Sequence, residues 1–395
     1  MNIVLFDDPT VRIALLPFTF TRPVSAIRVG ILTIAEKWER RLGSEVSFKT
    51  EVYLQKKFPL ISSLDNLMIN GAVCPDELLV DAVKALPEGY YLVRGTILLA
   101  ARNPEDEMTQ QNTIEYENKF TLIDRPWRIF RENAEQLKAD FKLITHGRVS
   151  APILDDYTAV YNEKNIFLEE GVTILSAVLN AESGPIYLGR NSVIQEGVVI
   201  RGSFALGEHA QINMGAKIRG DTTVGPYSKI GGEVSNSVIF GNSNKSHDGY
   251  LGNSVLGEWC NLGAGTNSSN LKNNYERVKL WNHGERRFSD TGLQFCGLMM
   301  GDHSKSGIST MFNTGTVVDV CANIFGGGLA PKYVPSFSWG GATGFTTYLV
   351  EKALETINKV MARRDTDLTE DDKEILVHIF KMTTPAREES NAHAG

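Results

Sequence analysis

The sequence is poor in cysteine and holds no long hydrophobic run. Its four cysteines, Cys74, Cys260, Cys296 and Cys321, lie far apart in 395 residues and form no CxxC pair. Neither a zinc ribbon nor a disulfide framework is expected; reduced, buried thiols of a cytoplasmic protein are. No stretch reaches the roughly 18 apolar residues of a membrane helix, so no membrane partner is expected. The apolar N-terminus is interrupted by Asp7, Asp8 and Arg12 and lacks a basic leader, which suits short strands around a turn rather than a signal peptide. Positive charge is also scarce. Against 47 Asp and Glu stand 40 Lys and Arg, a net −7, so nucleic acid is not an expected partner. The seven histidines contain no H-x₄-H pair, which argues against a three-histidine zinc site, and no metal ligands are assigned. Glycine is plentiful at 36, yet it has no three-residue period, which excludes collagen.

What is present is a period. Stepping by six from Leu188 gives Ile194, Ile200, Leu206, Ile212, Ile218, Val224 and Ile230. Ile, Leu and Val make up about a quarter of an ordinary chain, so this run is on the order of a one-in-10⁵ accident. The step appears earlier at Ile166, Val172 and Val178, and later at Met300, Phe312, Val318 and Ile324, with Ser306 the one polar member. Six fits neither a helix nor a plain strand. It fits a short strand, a sharp turn and another short strand, and glycine often follows the apolar residue, as at Gly189, Gly207, Gly225 and Gly231. Three such faces make a triangular coil of about 18 residues, and stacked coils pair their backbones at about 4.8 Å with branched residues filling the prism. Spacing leaves the hand open; the usual crossover rule favours a right-handed coil.

Hexads of the form [LIV]-G-x-x-x-x resemble the left-handed β-helix acyltransferases of the hexapeptide-repeat class, over about residues 166–324. Some relatives in that class are carbonic anhydrases, and in others the helix serves a nucleotidylyltransferase as an assembly device. The residues before the repeat mix strand-like runs (3–6, 67–70, 90–93) with helix-like runs (31–42, 126–141), as an α/β domain does. After it come a glycine-rich, aromatic loop at 326–341 and two amphipathic helices at 346–364 and 369–382, with Thr369 as N-cap and Asp372 three residues on. The last dozen residues are expected to fray. The expected divisions are 1–148, a shortened nucleotidyltransferase-like α/β domain; 149–328, a left-handed parallel β-helix; and 329–395, a loop with C-terminal α-helices.

The lattice breaks between Ile239 and Leu251, where the insert FGNSNKSHDGY carries His247. It resumes through GAGT (263–266) and Asn270-Leu271, and a further excursion at about 271–295 carries Arg277, Lys279, Arg286 and Arg287. With GGEVSNSVI (231–239), His247 three residues before Tyr250, and Leu251-Gly252, this stretch closely resembles the acetyltransferase domain of the bifunctional enzyme that makes UDP-N-acetylglucosamine. The resemblance implies an acetyl-CoA-dependent N-acetyltransferase acting on an amino-sugar 1-phosphate. An amine attacks a thioester only when neutral, and an imidazole is a suitable base; His247 matches that role. Ala264 matches the backbone donor facing the developing oxyanion. Tyr250 and Asn261 match sugar contacts, and Asn270 a residue near the acetyl group. Arg219 and Lys279 are the candidates for the sugar phosphate. No lysine stands within IGGE (230–233), where bacterial relatives carry one nearby. Direct transfer needs no acyl-enzyme, so Cys260 and Cys296 are read as packed side chains. Arg286 and Arg287 are read as a solvated pair. Phe337-Ser338-Trp339 either stacks on coenzyme A or pins the C-terminal helices.

LLPFTFTRPVSAIRVGILTIAEKW (15–38) resembles a shortened sugar nucleotidylyltransferase start, and PWRIFREN (126–133) resembles the segment closing that domain. The resemblance places Arg22 where a triphosphate would be gripped, with Arg28 or Lys37 in place of the usual lysine. The LxxGxGTR cradle is missing, and the magnesium aspartate falls at Ala72. The resemblance implies Mg²⁺ for this domain where it turns over nucleotide; Asp7 and Asp8 could compensate for the missing carboxylate or could be turn residues. Two alternatives stay open: a nucleotidylyltransferase whose β-helix only assembles the oligomer, and a non-catalytic sugar-nucleotide-binding protein. In either reading the partners are a sugar phosphate and a nucleotide. A homotrimer is expected, because family active sites form between neighbouring prisms.

Overall fold

A computed structural model describes residues 1–104 and 108–392. Residues 393–395, the end of the expected C-terminal segment, lie outside it. The hexads form a parallel β-helix with three faces. The first face runs from Ile166–Leu168 to Tyr333–Val334 in nine strands, and the second from Thr173–Ile174 to Ser338–Gly341 and its hairpin partner Gly344–Thr347 in ten. The third runs from Ala159–Tyr161 to Tyr250–Gly252 in six strands. Apart from the antiparallel strand Gly344–Thr347, the strands pair in parallel with their equivalents one coil away, as Val199–Arg201 does with Lys217–Arg219.

The eight hexad residues from Leu188 to Ile230 fill the prism, each at most 1% exposed. The later set also points inward, Ser306 included: its hydroxyl meets that of Thr266 at 3.0 Å, so its polar atom is satisfied. The earliest coil departs from the expected step. Its inward residues are Leu168, Ile174 and Leu179, in register with Leu188, Ile194 and Ile200. Val178 pairs with Val199 on the outer surface instead. A one-residue slip in a strand turns a side chain to the opposite face, which six-residue counting cannot detect.

The N-terminal residues form a six-stranded mixed sheet, with Asn2–Phe6 parallel to both Val46–Lys49 and Asn66–Asn70, and Asn66–Asn70 antiparallel to Ile97–Arg102. The helix Ile34–Leu42 opens with a Thr33–Glu36 capping box and closes on Gly43 in the left-handed conformation. The expected helix at 126–141 is two helices, Pro126–Arg131 and Asn133–Thr145. This domain lies against the outer surface of the first face. Leu15, Phe18 and Ile129 share one apolar cluster with Val238, Val255 and Met299.

At the other end, Thr369 caps Glu370–Met382 by accepting from the Asp372 N–H, as the sequence implies. The preceding helix is Val350–Ala362. Of the last dozen residues, the described ones form a third helix, Thr384–Ala392, tied down by Arg387, which donates to the Phe380 and Ser336 carbonyls. Phe337 is buried 5.1 Å from the Phe380 ring, so it pins these helices; Trp339 stays partly exposed beside Tyr348.

Candidate functional site

The site residues gather where the second face turns into the third. Glycine makes that turn compact. A Cβ on Gly231 would lie 2.3 Å from the Ser246 carbonyl oxygen, and one on Gly263 would lie 2.5 Å from Gly307. The turn at 246–249 exposes the His247 side chain. Directly above it stands the turn at 263–266, joined by the Gly265 N–H donating to the Asp248 carbonyl at 3.1 Å. The structure therefore brings His247 and Ala264 to consecutive rungs of one corner. The Ala264 carbonyl accepts from the Ser309 N–H at 2.7 Å, while its own N–H has no acceptor among the described residues. An outward, unpaired backbone donor suits a developing oxyanion. Further along the same edge Ile308, Phe325 and Leu329 are exposed apolar side chains.

On the third face a polar cluster adjoins that corner. The Asn270 amide donates to the Tyr250 hydroxyl at 2.9 Å and to the Asn253 side-chain oxygen at 2.7 Å. The Tyr250 hydroxyl also shares a 3.2 Å hydrogen bond with Ser235. Asn267 accepts from the Tyr250 N–H at 2.9 Å. Arg219 lies two rungs below in the same column, in register with Ser235 and then Gly252, and is paired with Glu233 at 2.8 Å on an exposed surface. Asn261 stands on the second face, 3.5 Å from the Asn244 amide, which Arg364 of the C-terminal segment also engages.

Lys279 is not brought to this group. It lies on the hairpin Lys279–Asn282 and Arg287–Asp290, whose flanking Val278 and Leu280 pack over the first face. The excursion instead borders a cleft of about 520 Å³ lined by Arg131, Asn253, Arg277, Gln294 and Phe295, with no carboxylate in its lining. Arg131 has no ion-pair partner among the described residues, and Arg277 only reaches Asp290 at 3.9 Å. Asn253 links this cleft to Asn270. Sequence reading missed Arg131 here because it is contributed from the N-terminal domain, more than a hundred positions away. Arg286 pairs with Glu389 on the surface. Cys260 and Cys296 are buried, and burial pushes both thiols up to about 12, which suits packing rather than nucleophilic attack.

The lattice does not break between Ile239 and Leu251. Ile239, Lys245 and Leu251 keep the six-residue step, and Lys245 stands in register with Ile230, pointing inward and 2% exposed. Its ammonium donates to the Gly231 carbonyl at 3.0 Å and to the His247 carbonyl. Burial lowers its pKa to about 8, against a smaller upward pull from Asp248. Counting six from Ile239 would have found it.

The three cations proposed for nucleotide each have another partner. Arg22 is buried, and its guanidinium donates to both oxygens of Asp302 at 3.1 and 2.6 Å and reaches Glu258 at 3.2 Å. Lys37 is buried in an ion pair with Asp140, which also accepts from the Ile31 and Leu32 N–H groups. Arg28 donates to the Phe240 and Ile31 carbonyls. Arg22 and Arg28 thus fasten the N-terminal domain to the β-helix, and Lys37 closes the domain on itself. Asp8 caps the helix Pro9–Ala14. Asp7 binds Arg12, Thr50 and the Val24 N–H. No group of three or more His, Cys, Asp or Glu fit for a metal is found among the described residues. The side chains present do not fit the magnesium ion that the resemblance implies.

Residues 3–149 match the family described as sugar nucleotidyl transferase. A bifunctional sugar-1-phosphate nucleotidylyltransferase/acetyltransferase of Sulfurisphaera tokodaii is 29% identical over 223 residues, covering 56% of this chain and 48% of that protein. The bifunctional protein GlmU of Methanocaldococcus jannaschii is 30% identical over 229 residues, 55% of each chain. The chain thus spans about half the length of these relatives. A solved UDP-N-acetylglucosamine acyltransferase from Campylobacter jejuni is 12% identical with a TM-score of 0.28, covering 60% of this chain and 94% of its own, a likeness too slight to bear on function. No described helix is long and apolar enough to cross a membrane. The chain is thus similar over about half its length to bifunctional proteins, one of them named as a nucleotidylyltransferase/acetyltransferase, and its residues 3–149 match the sugar nucleotidyl transferase family.

Proposed function

We propose that the chain is an acetyl-CoA-dependent N-acetyltransferase acting on an amino-sugar 1-phosphate. The observation that carries this reading is the stacking of the His247 turn directly beneath the Ala264 turn, with the Tyr250–Asn270–Asn253 cluster alongside. The imidazole of His247 accepts a proton from the sugar amine as its nitrogen forms the new C–N bond. The Ala264 N–H faces the oxygen on which negative charge develops. The C–S bond then breaks, and the coenzyme thiolate leaves with the proton returned by the imidazolium. Tyr250 and Asn270 orient the sugar. Arg219 and the Arg131–Arg277 cleft are the two places where phosphate charge is met by guanidinium groups. The reading includes a homotrimer whose neighbouring prisms close the site, and the three divisions at 1–148, 149–328 and 329–395.

A second activity, nucleotidylyl transfer, is favoured by the family match at 3–149. Against it stand the partners of Arg22, Arg28 and Lys37, which leave none of the three free for a triphosphate. We therefore read this domain as a clamp on the β-helix.

Incubating the chain with acetyl-CoA and a panel of amino-sugar 1-phosphates, and reading released thiol, tests the first reading. His247→Ala should lower kcat by about 10²–10⁴-fold, the usual worth of a general base, with the oligomer intact. Wild-type turnover in that variant would remove His247 from the mechanism.

A further inference from the structure

Lys245 violates the rule that built the prism. The inward residues Ile212, Ile230, Leu251, Leu256 and Leu262 of the surrounding coils are aliphatic and nearly fully buried. An ammonium there loses its hydration and meets no carboxylate at ion-pair distance among the described residues; its hydrogen-bond acceptors are the carbonyls of Gly231 and His247. A leucine at this position would cost nothing of that kind. Local rules of this sort are broken where another demand outweighs stability.

The backbone shows what that demand is. At this corner successive turns are normally tied by a rung bond. The Gly215 N–H donates to Glu196, that of Gly265 to Asp248, and that of Ser309 to Ala264. Beneath the middle of the His247 turn this corner bond is missing, although the ladder continues at its two ends, where the Gly231 N–H donates to Lys245 at 2.7 Å and the Glu233 N–H to Gly249 at 3.2 Å. The underlying turn, Gly231 and Gly232, is shorter, and no N–H of His247, Asp248 or Gly249 finds a backbone acceptor on it. Two side chains take over: the Asn213 amide donates to the Ser246 carbonyl at 2.8 Å, and Lys245 donates to that of His247. The space is close, since a Cβ on Gly232 would lie 2.9 Å from the ammonium.

We infer that Lys245 is a positioning residue for the acetyl-transfer site, holding from inside the prism the turn that carries the imidazole of His247. This inference rests on the reading of His247 as the base. Misplacing a reacting group by about 1 Å can cost on the order of a hundredfold in rate. The brace acts on the base rather than on the acetyl donor, so its loss should appear in kcat and not in the KM for acetyl-CoA.

The test is Lys245→Met in the full chain, with Lys245→Leu as the second variant, since leucine already fills the same lattice at Leu251. Three quantities are read: the melting temperature, kcat with KM for acetyl-CoA, and backbone amide exchange at 246–249 together with the His247 ring resonances. The expected result is a melting temperature equal to or above wild type, faster exchange confined to that turn, altered ring resonances, and kcat lower by about ten- to a hundredfold at constant KM. A purely structural lysine would instead lower the melting temperature of both variants, or prevent both from folding, and that result overturns the inference. So does unchanged kcat with unchanged exchange. If the wild-type protein acetylates no amino-sugar phosphate, the reading of the activity fails by itself, while exchange and the ring resonances still decide whether Lys245 holds the turn.

Discussion

The N-terminal domain and the β-helix bury cations in opposite ways. In the first, Arg22 and Lys37 each meet a buried carboxylate, Asp302 and Asp140, so charge is neutralised where it is desolvated. In the second, Lys245 enters an aliphatic column and meets carbonyl oxygens. The contrast separates two jobs. A paired cation joins pieces of the fold, and its partner makes the burial tolerable. An unpaired one is a standing cost, retained for what its hydrogen bonds hold in place.

The sharpest way to break this comparison is Arg22→Ala. It leaves Asp302 buried without its cation, and the expected loss is about 3–5 kcal/mol, measured by urea denaturation. The two halves of the molecule should loosen together, because Thr21 and Arg22 both bind Asp302. A loss under about 1 kcal/mol would put Arg22 among the surface pairs.

A smaller effect sharpens the other side. Burial holds Lys245 near 8, below its ordinary 10.5. Between those values the unfolded chain keeps a proton that the folded chain has released, so raising the pH through that window stabilises the fold. Asp248 favours the charged form and opposes this shift more weakly. Wild type should therefore gain stability from about pH 8 to 10.5 relative to Lys245→Met, as read by paired denaturation curves. Equal slopes would mean that the ammonium is solvated after all.

The smallest expected effect concerns the exposed arginines. Arg131→Gln and Arg277→Gln should raise the KM for the phosphorylated sugar a few-fold each, with kcat nearly kept, since solvent screens such contacts. Phosphate dependence located instead at Arg219 alone would remove the cleft from the site.

Much of this could be read in the chain beforehand, and the exceptions have one origin. The hexads from Leu188 to Ile230 predict their own burial, and Thr369 predicts its cap. The earliest coil turns Leu179 inward where the count predicts Val178, because counting by six is blind to a one-residue slip. Lys245 sits on the count yet reads as its interruption, because a lysine is not expected inside a prism. Arg22, Arg28 and Lys37 looked like ligand residues because their partners, Asp302, Phe240 and Asp140, lie 280, 212 and 103 positions away.

By itself, then, the sequence determined the stacked triangular coil and the place of His247 beside GAGT, because a strand-and-turn period is local and repeats every few residues. Only the tertiary structure decided which cations are spent on joining domains, that Lys279 stands away from the cluster, and that Lys245 reaches the turn of His247 from within. Those outcomes depend on which distant groups meet where water is excluded, and no local pattern encodes that meeting.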